Sequence, residues 1–129
     1  MAGRRVLGIG LDPYTIDFNS EFFRGKPINA DMIASGIKSD EQRIRGMGHD
    51  FEWLLIDARR GAAAASAAAR AALGARRVDV VVIGGGVRLD PAQTRVLEGL
   101  VNAVIEAAPG VRIGFNTSPT DTAEVVERL

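Results

Sequence analysis

Apolar and polar residues fall in blocks along this chain, and the blocks show two different periods. Four short runs, 5–11 (RVLGIGL), 51–56 (FEWLLI), 78–83 (VDVVVI) and 111–115 (VRIGF), are dense in Val, Ile, Leu and aromatic residues. Most of them give way to Asp, Gly or Asn, so they predict strands that lead into loops. Between the runs the apolar positions recur at helical spacing. Ile33, Ile37, Ile44 and Met47 share one face of a helix predicted over 30–47, with Asn29 as N-cap and Gly48 as C-cap. Residues 62–73 are almost pure alanine, the best helix former, and Gly74 is the predicted stop. Asp90 and Pro91 open a third helix that carries Val96, Leu97, Leu100, Val101, Val104 and Ile105, and Pro109-Gly110 ends it. A fourth helix starts near Ser118-Pro119 or Asp121 and carries Val125, Val126 and Leu129.

Strand and helix alternating four times predict a parallel sheet covered on both faces. The first and third runs are nearly unbroken apolar, as strands buried on both faces must be. In the fourth, Val111, Ile113 and Phe115 alternate with Arg112, Gly114 and Asn116, a pattern suited to a sheet edge. Glu52 interrupts the second run. The resulting strand order is 2-1-3-4. Right-handed crossovers then put the first and fourth helices on one face and the second and third on the other. The prediction is a single α/β domain over 1–129: a three-layer α/β/α sandwich on a four-stranded parallel sheet, in a flavodoxin-like arrangement. Gly8 and Gly10 project to the same face of the first strand. Either the alanine-rich second helix packs closely on them, or the alanines reflect a compositional bias that also shows in 14 Arg against 2 Lys.

Composition narrows the class of function. The chain has 129 residues, 47% apolar and 25% charged, which is enough for one core and not two. Sixteen basic and sixteen acidic residues cancel, which argues against nucleic acid or an anionic membrane as partner. The absence of cysteine excludes disulfides, thiolate catalysis and Cys-based metal centres. No stretch approaches the ~18 apolar residues of a membrane span. Positions 1–5 run straight into the first strand, so no leader is expected and the cytoplasm is the expected compartment.

In a doubly wound sheet, ligands bind beyond the carboxyl ends of the strands where the crossover direction reverses. Here that crevice falls between the first and third strands. It is framed by Asp12 and Tyr14 on one side and by Gly84-Gly85-Gly86 and Arg88 on the other, with Asn116 and Thr117 beside it. Asp12, Tyr14, Gly85, Gly86, Arg88, Asn116 and Thr117 are therefore the candidate ligand-binding residues. The triple glycine is open to two readings: a cradle that offers backbone N–H groups and a guanidinium to an anion, or a tight strand-to-helix turn. Neither G-x-G-x-x-G nor G-x-x-x-x-G-K-[ST] is present, so nucleotide cofactors of those classes are not expected, and no cofactor is assigned. Asp12 with Asp57 offers a weaker alternative, a metal-assisted hydrolase or transferase. A phosphorelay receiver is rejected, because the third strand ends in glycine and no fifth strand supplies a lysine. His49, the sole histidine, precedes the second strand at the opposite end of the sheet, which removes the commonest general base. Ser118 and Thr120 read as helix-capping residues, Arg76-Arg77 as a solvated pair, and Trp53 as core or edge packing. The irregular stretch 13–29 holds Tyr14, Phe18, Phe22 and Phe23 and lies where a lid is expected.

The segments VLGIGLDP (6–13), VDVVVIGGGVRL (78–89) and GFNTSPTDTAE (114–124) resemble a group of small bacterial α/β proteins, and the resemblance covers most of the chain. It implies the fold and carries over no catalytic residue. Likeness to flavodoxins is at the level of fold only, and the acidic, proline-containing LDPYTID does not match their Ser/Thr-rich FMN loop. The function expected is a domain that binds a small polar or anionic ligand at the carboxyl ends of the first and third strands. The alternative is a self-associating assembly module, whose aromatic 18–23 stretch packs on a partner.

Overall fold

The computed structural model describes residues 3–129; positions 1 and 2, which begin the segment read above for a leader, lie outside them. Four parallel strands, β1 (Arg5–Leu11), β2 (Asp50–Ile56), β3 (Val80–Ile83) and β4 (Arg112–Phe115), form one sheet in the order β2-β1-β3-β4. This is the expected order. Helices α1 (Ala30–Gly46), α2 (Gly61–Ala75), α3 (Gly85–Leu89), α4 (Thr94–Ala107) and α5 (Thr122–Arg128) complete a three-layer α/β sandwich. No helix among the described residues is long and apolar enough to cross a membrane.

The pleat of the central strands explains the two cores. Leu7, Ile9, Leu11, Val81 and Ile83 bury one face against Ala65, Ala69 and Leu73 of α2 and Val96, Leu100 and Val104 of α4. Their neighbours in sequence, Val6, Val80 and Val82, bury the other face with Phe51 against Ile44 of α1 and Val125 and Val126 of α5. The register Val6↔Val80 to Ile9↔Ile83 keeps like faces together. The helix faces are thus those that right-handed crossovers require.

Several local expectations change. Gly8 and Gly10 do not meet the alanine helix. They face the α1/α5 side, where a Cβ on Gly8 would stand 2.6 Å from Trp53 Cε3. The indole of Trp53 lies over the bare strand, its Nε1 donating to Ile37 O at 3.3 Å. The alanines of α2 serve a close approach to α4 instead: a Cβ on Gly99 would come within 2.5 Å of Ser66 Oγ. Gly74 does not stop α2, which runs one residue further, to Ala75. Asp90 does cap, accepting from Ala92 N–H at 2.9 Å, but what it caps is a 3-10 turn over Pro91–Gln93 that precedes α4. Ser118 and Thr120 do not cap α5. Its first N–H, on Thr122, is taken at 2.7 Å by the buried carboxylate of Asp40, reaching across from α1. Arg76 is not simply solvated either: it pairs with Asp50 at 2.9 Å and Glu52 at 2.8 Å, tying the end of α2 to β2.

Candidate functional site

The chain leaves β1 through a turn that the sequence encodes in four residues. Asp12 N–H stays paired with Ile56 O, and the Asp12 carboxylate accepts from Tyr14 N–H at 3.0 Å. Thr15 Oγ1 donates to Asp12 O and accepts from Ala58 N–H, fastening the turn to the end of β2. Tyr14, two-thirds exposed, donates its hydroxyl to Asp31 at the start of α1. That hydrogen bond to a carboxylate, more than anything else, raises the phenol above its ordinary value. Beyond Ile16 the 13–29 stretch is not irregular throughout. Phe23, nearly fully buried, takes the edges of Phe18 and Phe22 at ring separations of 5.4 and 4.9 Å. Gly25 closes the turn at φ +79°, a conformation that other residues rarely adopt. Asn29 then caps α1, accepting from Met32 N–H at 2.9 Å.

On the opposite side, the triple glycine is a helix start. Gly84 is extended and pairs with Ile9 O, and Gly85 and Gly86 begin α3. None of the three has positive φ. A Cβ would be in ordinary contact at Gly84 and Gly85, 3.4 Å from Ile9 O and from Thr117 O, and at Gly86 would stand 3.3 Å from the end of the Leu11 side chain. Asn116, buried at the end of β4, joins this turn to α5. Its Oδ1 accepts from Gly85 N–H at 2.8 Å and its Nδ2 donates to Thr122 Oγ1 at 2.9 Å. The Thr117 hydroxyl and N–H are both spent on Asp121. Burial pushes the Asp121 carboxyl up, and the hydrogen bonds from Thr117 and Ser118 outweigh that, so it lies below its ordinary value.

Between these two walls, on the α1/α5 face of the sheet, lies a cavity of about 330 Å³. Gly10 and Trp53 line it from the strands, and Ile33 and Ile37 from α1. Ile16, Phe22, Phe23, Lys26 and Ile28 line it from the 13–29 stretch. Gly84, Gly85, Gly86 and Leu89 form the far wall, with Asn116 to Pro119 beside them. The lining is mainly hydrocarbon, and Lys26 is its one charged side chain. The cavity opens over Gly10. Trp53 fills the space above Gly8, while a Cβ on Gly10 would meet only Trp53 Cζ3, at 3.7 Å.

Of the seven candidate residues, Gly85, Gly86, Asn116 and Thr117 border the cavity. Asp12 and Tyr14 turn to the 13–15 turn and to Asp31, outside it. Arg88 lies away from it as well. Its Cζ sits 5.9 Å from the centroid of Phe115, a side chain of the α2/α4 core, and its buried Nε has no partner. A five-residue helix places successive side chains on different sides, so Gly85, Gly86 and Leu89 reach the cavity where Arg88 does not. Asp57, the proposed companion of Asp12, is engaged by Arg59. The side-chain and backbone hydrogen bonds of Arg59 hold its carboxyl down at about 2.

The sequence reading missed Ile33, Ile37, Lys26, Leu89 and Trp53 as wall residues. Gly10 is the one local signal, a strand position with room above it; which residues of α1, α3 and the 13–29 stretch close around it no local pattern gives. A second hollow of about 380 Å³ lies at the amino ends of the strands, between the last turns of α2 and α4. Its arginines are committed, Arg76 to Asp50 and Glu52 and Arg77 to Asp79. The carboxyl-end cavity is the stronger candidate, because it stands at the crossover reversal and is lined mainly by apolar side chains. Comparison of the chain with family models, with curated proteins and with solved structures finds no match.

Proposed function

We propose that this chain is a small-molecule-binding domain whose ligand lies in the cavity beyond the carboxyl ends of β1 and β3. The supporting observation is the cavity itself, about 330 Å³ in volume and walled by Trp53, Phe22, Phe23, Ile33, Ile37 and glycines. Pockets of this kind, mainly apolar with a few polar groups at fixed places, are how proteins hold small organic molecules. The ligand is more apolar than the crevice residues in the sequence imply. Asn116, Thr117 and Gly85 N–H, the polar groups nearest at hand, already satisfy one another or α5. Asp12 and Arg88 stand outside. At ~30 Å³ for each water displaced, the space matches a ligand of about ten non-hydrogen atoms.

Trp53, the single tryptophan, lines the cavity and gives the test a local reporter. A panel spanning apolar and aromatic compounds, sugar phosphates and nucleotides is screened by thermal shift and by Trp53 emission. Apolar compounds of about ten non-hydrogen atoms should raise the Tm and change the emission together. Sugar phosphates and nucleotides should do neither. If no apolar compound gives both signals, the proposal fails.

A further inference from the structure

We infer that the ligand of this cavity is a monocarboxylate, its apolar body against Trp53 and the isoleucines of α1 and its carboxylate on Lys26. The inference rests on the cavity being a ligand site. It adds what the lining charge says about the ligand.

Lys26 is the one charged side chain in the wall, exposed at its rim, and its backbone is placed by the turn before it. Lys26 N–H bonds Phe23 O at 3.1 Å after Gly25 has reversed the chain. The ammonium lies 3.8 Å from the centroid of the Phe22 ring and donates to Phe22 O. An ammonium has three donors. One is used on that carbonyl, and among the described residues no carboxylate forms an ion pair with Lys26. A cation held over an aromatic face at the edge of an apolar cavity, with donors to spare, complements an anion whose remainder is hydrocarbon.

The charge is also the right size for a carboxylate rather than a phosphate. A phosphate dianion needs several donors converging on it, whereas Gly85 N–H is engaged by Asn116, one N–H of the Asn116 amide by Thr122, and Thr117 by Asp121. One unpaired ammonium balances one negative charge.

The test titrates Trp53 emission with octanoate and 3-phenylpropanoate against octan-1-ol, 3-phenylpropan-1-ol and octylamine. Carboxylates should bind about tenfold or more tightly than the matching alcohols, and the amine more weakly than either. In Lys26→Gln the carboxylate advantage should shrink to about twofold or less with alcohol affinity unchanged, whereas Lys26→Arg keeps most of it. A pH arm on the unaltered chain tests the need for a negative charge on the ligand should the variant not fold. The advantage should vanish as pH falls below ~4, where carboxyl groups become neutral. Equal binding of carboxylate and alcohol to the unaltered chain, or an advantage that survives Lys26→Gln, overturns the carboxylate while leaving the cavity as a ligand site. Failure of every probe to bind overturns both.

Discussion

Two glycines one residue apart on the same strand face have opposite roles. A methyl at Gly8 would lie 2.6 Å from the Trp53 ring, which is held between the sheet and α1. Gly8→Ala should therefore force the indole or the strand to shift and destabilise the chain by about 1–3 kcal/mol in urea unfolding. An unchanged midpoint would mean that the indole moves freely. Single charges are also tuned by local contacts. Arg59 holds the Asp57 carboxyl at about 2 against its ordinary 3.8. The folded value is the lower one, so the pair adds stability that is complete at neutral pH and is lost as pH falls from about 4 toward 2. Carbon NMR titration should show this midpoint near 2, and Arg59→Ala should raise it part of the way toward 3.8, because the backbone N–H of residue 59 still bonds the carboxylate; a midpoint already near 3.8 in the unaltered chain would show the pair is not formed in solution.

At the scale of elements, the carboxyl end of the sheet is held by two buried side chains that join distant segments. Asn116 ties the start of α3 to α5, and Asp40 of α1 caps α5 from outside it. Helix α5 has seven residues and its N-cap residue, Asp121, bonds back to Thr117 and Ser118, so it depends on Asp40 for the first N–H. Asn116→Ala would leave Gly85 N–H and the buried Thr122 hydroxyl without these partners. The expected loss is ~2–4 kcal/mol, read as a lower urea midpoint at unchanged m. A loss below ~0.5 kcal/mol would show that water replaces the amide.

At the scale of the molecule, the fold creates the cavity by omission. The sheet needs a covering layer on both faces, and on the α1 side that layer is incomplete above Gly10. The 13–29 stretch closes part of the gap: Phe18 and Phe22 pack on Phe23, and Ile16, Phe22 and Phe23 line the space. The site is thus a space between an α/β framework and a crossover loop, the usual position for ligands in sheets of this order. Gly10→Val should narrow it. Its Cβ would stand in ordinary contact, 3.7 Å from Trp53 Cζ3, on a strand that favours β-branched residues, so the Tm should hold while apolar probes bind more weakly. Undiminished binding to that variant would place the ligand elsewhere.

The order of the sheet, the pairing of helices with faces and the general position of the crevice were legible in the chain, because each follows from local periodicity and a handedness rule that nearly all β-α-β units obey. Asn29 as a cap and β4 as an edge were legible for the same reason, since their causes lie within a few residues. Which side chains the crevice contains was not. Whether Gly8 and Gly10 are covered by α2 or by Trp53 depends on which pleat faces which helix layer, and Arg88 is excluded by its rotation on α3. Asp40 reaches Thr122 across 82 positions of sequence, a contact no local pattern encodes. Sequence specifies the elements through short-range propensity and burial. The contents of the site were set by tertiary packing, where residues distant in the chain compete for the same few ångströms.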